Sequence, residues 1–344
     1  MTQKRLAKKI AMEVAYLSSR PIVAPEFLSL ITTFHCNFRC QSCSIWQKND
    51  FDELSLEQWL PILEDFKADL APTTFVEING GEPLIRKTLV LGLIKSLKSY
   101  FKTIALTTNG SLINQETINQ LEDAGLDILK LSFYSLDKNI HNQLRGDDSA
   151  FDQAKKTIDL MQEKKIRLEI GILITKQNID GLPDLINYLN QLPNATIILQ
   201  PLDEKIESDE SKNIKANNLI SDLWPSNNQT QIFFDWLAGQ DKTGRQIKNS
   251  ANNLSLMRRY YLEPSSILAY RCFSGQRNLT VYPNGELALC FKRQTIGNLN
   301  NQKIKNILSS KSALDERQKI KSCQKYCRII GCNFSRGFKE IFLK

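Results

Sequence analysis

The chain has 344 residues, 42% of them apolar and 24% charged, with a formal net charge of +8 and eight cysteines. This length suits one large domain with an appendage or two modest domains, and no apolar run is long enough to cross a bilayer. The charges among the first twenty residues are wrong for a signal peptide, so the chain is expected in the cytoplasm. Evenly spread lysines argue against a nucleic-acid partner, and His35 and His141 alone leave little for a histidine-based hydrolase or zinc enzyme.

In chain order, Leu6, Ile10, Val14 and Leu17 recur at spacings of three and four. They predict a helix over 1–19 whose apolar face caps the bottom of a barrel or rests on a membrane surface. Residues 27–34, apolar and β-branched, read as a buried strand. Cys36, Cys40 and Cys43 follow at once, on the loop leaving that strand's C-terminal end. Such short spacings let one loop wrap three thiolates around a single soft metal centre and leave a fourth position open for chemistry. Zinc would need a fourth ligand, and His35, next to Cys36 on extended chain, should face away from it.

Ser55, with Gln58 three residues on, predicts a capped helix to about 69. Strands and helices then alternate. Strands are expected over 74–79, 103–108, 128–133, 166–174 and 196–200, and helices over 87–100, 114–124, 150–164 and 181–192. With the first strand this makes six, and regular alternation means parallel strands. An open barrel and a flat doubly wound sheet both satisfy that pattern.

Composition shifts over 201–270. Residues 203–218 and 226–231 look like linker or surface turn, while 223–225, 232–237 and 257–262 are rich in aromatics that line a cavity or pack beneath the barrel mouth. From 271 to 344 come the other five cysteines. Residues 279–290 read as a hairpin in which Asn284-Gly285 supplies the positive φ of a tight turn, and 304–320 as a helix.

At Cys36, Cys40 and Cys43 the sequence resembles the radical SAM superfamily, whose signature is CxxxCxxC; Ser42 stands where an aromatic residue is common. The resemblance implies an α/β fold, a partial (β/α)6 TIM-like barrel with a small cysteine-rich C-terminal domain. It also implies that these thiolates hold three irons of a 4Fe-4S cluster and that S-adenosylmethionine chelates the fourth. Later strand ends extend it. Gly80-Gly81-Glu82-Pro83 looks like the GGEP motif that accepts from the cofactor's amino group, and Thr107-Thr108-Asn109-Gly110 resembles the family's TNG segment. Ser132 to Asp137, with His141 and Arg145-Gly146, is similar to the SLDSLD…H…RG stretch, in which a serine and the arginine approach ribose and carboxylate. Tyr134 stands where an aspartate is usual, and the fifth strand is placed to offer backbone edges to adenine.

Cys272 precedes Gly285 by thirteen positions and Cys290 follows it by five, which resembles the CX9-15GX4C element of SPASM and twitch domains. Five cysteines rather than seven imply one auxiliary 4Fe-4S cluster, with four ligands from Cys272, Cys290, Cys323, Cys327 and Cys332.

The reading divides the chain into an N-terminal amphipathic helix (1–26), a partial barrel (27–200), an insertion (201–270) and an auxiliary-cluster domain (271–344). By resemblance the function is reductive cleavage of S-adenosylmethionine to a 5'-deoxyadenosyl radical. The radical abstracts hydrogen from a small polar metabolite or a peptide, with electrons from a flavodoxin- or ferredoxin-type donor. The alternative is a non-catalytic iron-sulfur or zinc protein that binds nucleic acid through a basic surface.

Overall fold

Alternate residues of each strand decide the architecture. In the computed structural model, which describes residues 3–48, 52–203, 222–240, 246–327 and 334–335, Leu28 and Leu30, Val76 and Ile78, Ile104 and Leu106, and Leu168 and Ile170 are all 0% exposed. They belong to β1 (Phe27–Ile31), β2 (Phe75–Asn79), β3 (Thr103–Thr108) and β5 (Arg167–Leu173); β4 (Ile128–Ser132) and β6 (Ala195–Gln200) follow the same rule. Successive side chains point to opposite faces, so Ser29, Glu77, Thr107, Lys130 and Glu169 share the concave face. The strands pair in parallel in the order in which the chain makes them, and the sheet does not close. This is the partial barrel expected.

The intervening helices present apolar residues to the outer face. Helix α1 is Gln3–Ser18, and α2 is Leu56–Asp69, where Ser55 and Gln58 cap each other reciprocally. Then come α3 (Lys87–Lys98), α4 (Gln115–Ala124, capped by Asn114), α5 (Lys138–Arg145), α6 (Ala150–Met161) and α7 (Leu182–Asn190). The two-turn α5, with Asp137 accepting from Asn139 N and Ile140 N, has no counterpart among the sequence expectations.

Both edges of the six-stranded sheet are covered. Beyond β6, residues 246–249 act as a short stave. Ile197 N donates to Gln246 O at 2.8 Å, Lys248 N donates to Ile197 O at 2.9 Å, and the Asn249 amide bonds both Leu199 N and Leu199 O. Beyond β1 the sheet continues into the C-terminal region. After α8 (Asn227–Gly239), α9 (Ala251–Leu262), β7 (Arg271–Cys272) and α10 (Ser274–Arg277), strand β8 (Asn278–Val281) pairs in parallel with β1. Strands β9 (Glu286–Ala288) and β10 (Gly297–Asn298) extend it, so one sheet has nine strands. Helices α11 (Ile304–Ser309) and α12 (Lys311–Lys321) and strand β11 (Phe334–Ser335), which pairs with β7, complete the described chain.

Several expectations are corrected. Helix α1 forms, but its apolar stripe points outward: Ile10, Val14 and Leu17 are 43%, 44% and 55% exposed. The opposite face is buried through Tyr16 stacked on Phe273 and Glu13 bonded to Arg271, so α1 seats on the auxiliary region through that face and not through its apolar stripe. Residues 226–231 are a helix start, with Ser226 and Gln229 forming a capping box for α8. The 304–320 helix breaks at Ser310, which caps α12. In the hairpin turn only Gly285 takes a positive φ, at 83°. The backbone of β5 is committed to β4 on one side and β6 on the other, which leaves no strand edge for adenine. The aromatics of the insertion pack: Tyr260 and Tyr261 are 0% and 1% exposed, and Tyr261 Oη donates to Ile174 O at 2.7 Å. Of 203–218, only Asp203 lies among the described residues.

Candidate functional site

The cysteine loop is positioned from its root. Beyond β1, Thr33 Oγ1 donates to Glu53 Oε1 at 2.6 Å and Phe34 N donates to the same oxygen at 3.0 Å. Arg86, 3.5 Å from the other Glu53 oxygen, donates to Thr32 O and Leu54 O. The segment after β2 then lies directly on the loop: Gly81 N donates to Thr33 O at 2.9 Å and Glu82 N to His35 O at 2.8 Å. A Cβ on Gly81 would stand 2.1 Å from His35 O, so the approach requires glycine.

Two further segments pin the thiols from the other side. After β3, Asn109 Nδ2 donates to Asn37 Oδ1 at 2.9 Å, and Asn37 Nδ2 donates to Ser111 Oγ at 2.8 Å. At the end of α5, Leu144 O accepts from Gln41 N at 3.1 Å. Gly146, at φ 62°, lies so close to Arg39 that a Cβ would meet Arg39 O at 2.2 Å. His35 is exposed. The quoted motifs after β2, β3 and β4 therefore converge on one loop.

Glu82 is fully buried, and both its oxygens are engaged. Oε1 accepts from Leu84 N at 3.0 Å and from Thr108 Oγ1 at 2.9 Å, while Oε2 accepts from Asn109 N at 2.8 Å. Burial raises its pKa against the pull of those donors. Asn109 likewise organises its surroundings, its Oδ1 accepting from Ser111 N.

Arg145 is 7% exposed, the last residue of α5, with its guanidinium 5.6 Å from the Phe38 ring and 5.1 Å from the Tyr134 ring. Nη1 donates to Tyr134 Oη at 3.0 Å, so the tyrosine in the aspartate position supplies the arginine's acceptor. Nε is buried and has no hydrogen-bond partner among the described residues. Burial alone would lower the arginine's pKa, but the Tyr134 phenol and the Cys40 and Cys43 thiols outweigh it and hold the charge. Beside it His141, 1% exposed, accepts from Tyr134 N through Nδ1; burial, and then Arg145, push its pKa down to about 3.

The three thiols share one electrostatic neighbourhood. Burial raises Cys36, with Cys40 and Glu82 adding to the effect. Cys43 is exposed as a residue, yet packing around its sulfur, with Cys40 and Cys36, pushes it up to about 11. Among the described residues no three His, Cys, Asp or Glu side chains converge tightly enough to grip a single metal ion. A four-iron cluster spreads its thiolates over separate irons, so the donor set suits a cluster. Ser132 sits on the concave face at the end of β4, opposite Gly171, and its side chain makes no hydrogen bond among the described residues.

Below this mouth the concave face is charged. Lys130 Nζ stands 2.8 Å from Glu77 Oε2 and 3.5 Å from Glu169 Oε1, and Lys248 reaches Glu169 Oε2 at 2.5 Å.

The C-terminal thiols come from separate elements: Cys272 on β7, Cys290 after β9, Cys323 and Cys327 after α12. Burial pushes Cys327 up to about 12, and Cys290 and Cys272 add to it, whereas Lys292 opposes. Burial also raises Cys290, which accepts from Lys292 N and Ser274 and feels Cys323. Lys292 is held 2.5 Å from Asp203, just beyond β6. Cys332 lies outside the described residues.

Comparison with known proteins agrees with this geometry. Residues 30–189 match the model of the radical SAM superfamily, and residues 272–333 match that of the SPASM iron-sulfur cluster-binding domain. A probable GTP 3',8-cyclase of Sulfurisphaera tokodaii is 30% identical over 165 residues, which is 47% of this chain and 51% of that protein. The Fe-coproporphyrin III synthase of Methanosarcina barkeri is 28% identical over 161 residues, 46% of this chain and 39% of that protein. The chain thus spans about half or less of these curated relatives. Among solved structures, Streptococcus suis SuiB bound to S-adenosylmethionine superposes with a TM-score of 0.68 at 16% identity, covering 93% of this chain and 72% of that one. Native anSMEcpe with bound AdoMet gives 0.65 at 16% identity, covering 91% and 90%. At such identities the likeness is one of fold.

Sequence reasoning did not find Asn37, Phe38, Thr108 or Glu53, which hold the loop and its neighbours. Their only signal was position, inside or just beside a motif already singled out.

Proposed function

We propose that this chain, which matches the radical SAM superfamily model over residues 30–189 and the SPASM model over residues 272–333, holds a 4Fe-4S cluster, S-adenosylmethionine and an auxiliary iron-sulfur cluster and uses them to abstract hydrogen from a polar substrate. Bound at the barrel mouth and reduced by one electron, the cluster and S-adenosylmethionine supply a 5'-deoxyadenosyl radical, chemistry the protein positions and shields.

Cys36, Cys40 and Cys43 hold the cluster in this reading. Arg145 carries it furthest: a buried, fixed cation beside those thiols, with an Nε that has no partner among the described residues, is built for a carboxylate such as that of the methionine moiety. Ser132 offers its hydroxyl to the ribose. Gly80 and Gly81 bring backbone close to the cofactor's amino group. Glu82 adds a negative field there from beneath, and Asn109 keeps the cysteine loop in register.

The charged and hydroxyl-bearing lumen supports a substrate with a polar reacting portion, either a small metabolite or a peptide side chain. Cys272, Cys290, Cys323 and Cys327, already sharing one field, supply thiolates for the auxiliary cluster. Held by those thiolates, such a cluster would supply a site to accept an electron from the substrate or to bind it, and a flavodoxin- or ferredoxin-type protein would supply the first electron.

Anaerobic reconstitution with iron and sulfide, followed by reduction with S-adenosylmethionine present, tests the reading. Cleavage to 5'-deoxyadenosine and methionine is expected; a reconstituted protein that binds both clusters and yields no 5'-deoxyadenosine would overturn it.

A further inference from the structure

At the opposite pole of the sheet from the cysteine loop, a cleft of about 310 Å3 opens where the chain enters β1 and β8. Residues 21–25 form one wall, and Leu70, Leu279, Leu289 and Leu308 form the apolar floor. Arg317 of α12 lines it as well. This arginine is 3% exposed; its Nε donates to Gly275 O at 3.0 Å and its Nη1 to Leu308 O at 2.9 Å.

What distinguishes Arg317 is the missing counter-charge. Among the described residues the other buried cations have a carboxylate nearby: Lys130 lies between two glutamates, Lys292 pairs with Asp203, and Arg145 lies in the field of Glu82. Among the described residues no carboxylate pairs with Arg317, and burial, opposed by nothing, lowers its pKa to about 10. Two carbonyls explain how the side chain is held. They do not explain why a full charge is placed in apolar surroundings, where an unbalanced cation is costly. Asp69 and Lys305 also line the cleft, but both are exposed at its rim and of opposite sign.

We propose that this cleft binds a small organic anion, a carboxylate or phosphate monoester head on an apolar body, with the head on Arg317 and the body against the leucine floor. The volume matches a ligand at the small end of the range that proteins enclose. Nothing in this assignment depends on the radical chemistry at the other pole.

Calorimetric titration of the reconstituted full chain tests it, with octanoate and octyl phosphate to distinguish the two head groups, inorganic phosphate as the head alone, and octylammonium as the cationic control. One-site saturable binding of either octyl anion is expected, about tenfold or more tighter than phosphate, with no heat from octylammonium. Arg317→Met should abolish it. Ala24→Trp, which fills the cleft from its exposed rim and leaves the arginine's carbonyl contacts alone, should weaken it about tenfold or more even if the arginine variant fails to fold. Absence of saturable octyl-anion binding, equal binding of octylammonium, or unchanged binding in Ala24→Trp would overturn the proposal. Equal affinity for phosphate and the octyl anions would overturn the apolar body.

Discussion

The two sets of thiols are built in opposite ways. Cys36, Cys40 and Cys43 sit on one loop that the barrel grips from three sides, through Gly81 and Glu82, through Asn109, and through Leu144 and Gly146. Cys272, Cys290, Cys323 and Cys327 come from three separate elements joined by little regular structure; β7 and β11 share two residue pairs. A loop held by the fold is pre-organised for its metal. Thiols gathered from distant segments rely on the metal to keep those segments together.

The largest test of that contrast replaces each set. Changing Cys36, Cys40 and Cys43 to alanine should abolish cleavage of S-adenosylmethionine and remove about half the iron, if the two clusters are of equal size, while protease resistance is retained. Changing Cys272 and Cys290 should leave uncoupled cleavage but expose the cysteine-bearing segment after α12, which lies outside the nine-stranded sheet, to protease. Equal protease sensitivity in the two variants would erase the distinction.

Gly146→Ala attacks the grip without touching a thiol. A left-handed φ of 62° and a Cβ 2.2 Å from Arg39 O should destabilise the barrel by roughly 2–4 kcal/mol in denaturant titration and loosen the first cluster, seen as faster loss of iron to a chelator. An unchanged denaturation midpoint would show that the loop does not need α5.

His141 gives a pH test. It is buried neutral with a pKa near 3, below the ordinary 6.5, so its contribution is intact above pH 6.5 and is lost as pH falls from there towards 3. Between pH 7 and 5 the folded chain should lose about 2 kcal/mol that a His141→Asn variant does not lose. Matching pH profiles for the two proteins would contradict the buried neutral state.

The smallest effect is expected from Tyr134→Phe, which removes the acceptor of Arg145 Nη1 and should cost about 1.5 kcal/mol in stability. Binding of S-adenosylmethionine should weaken as the guanidinium loses its fixed orientation. Binding that is unaffected would mean that Phe38 stacking alone positions the arginine.

The strands of the barrel were legible because each combines β-branched and apolar residues within a strict alternation, and turn residues separate them from their helices. Helix α5 was not, because KNIHNQLR is two polar turns that form only where Asp137 caps them and Gly146 stops them. The outward face of α1 was misread for a related reason: periodicity shows that a stripe exists but not which side meets the core, and here Tyr16 outcompetes Ile10, Val14 and Leu17. In the site, ligand-bearing positions stand out by residue type. The residues that hold them, such as Asn37 and Thr108, are ordinary polar residues whose role appears only once distant segments meet.

The pairing of β8 with β1 gives the molecule a rigid internal ruler. The cysteine loop leaves the end of β1, and Cys290 leaves β9, two strands away across the same hydrogen-bonded sheet. Strands spaced about 4.8 Å apart fix the lateral offset between those two exits. No hinge between barrel and appendage can lengthen it without tearing the β1–β8 ladder, so electron tunnelling between two metal centres would run over a span set by the backbone itself.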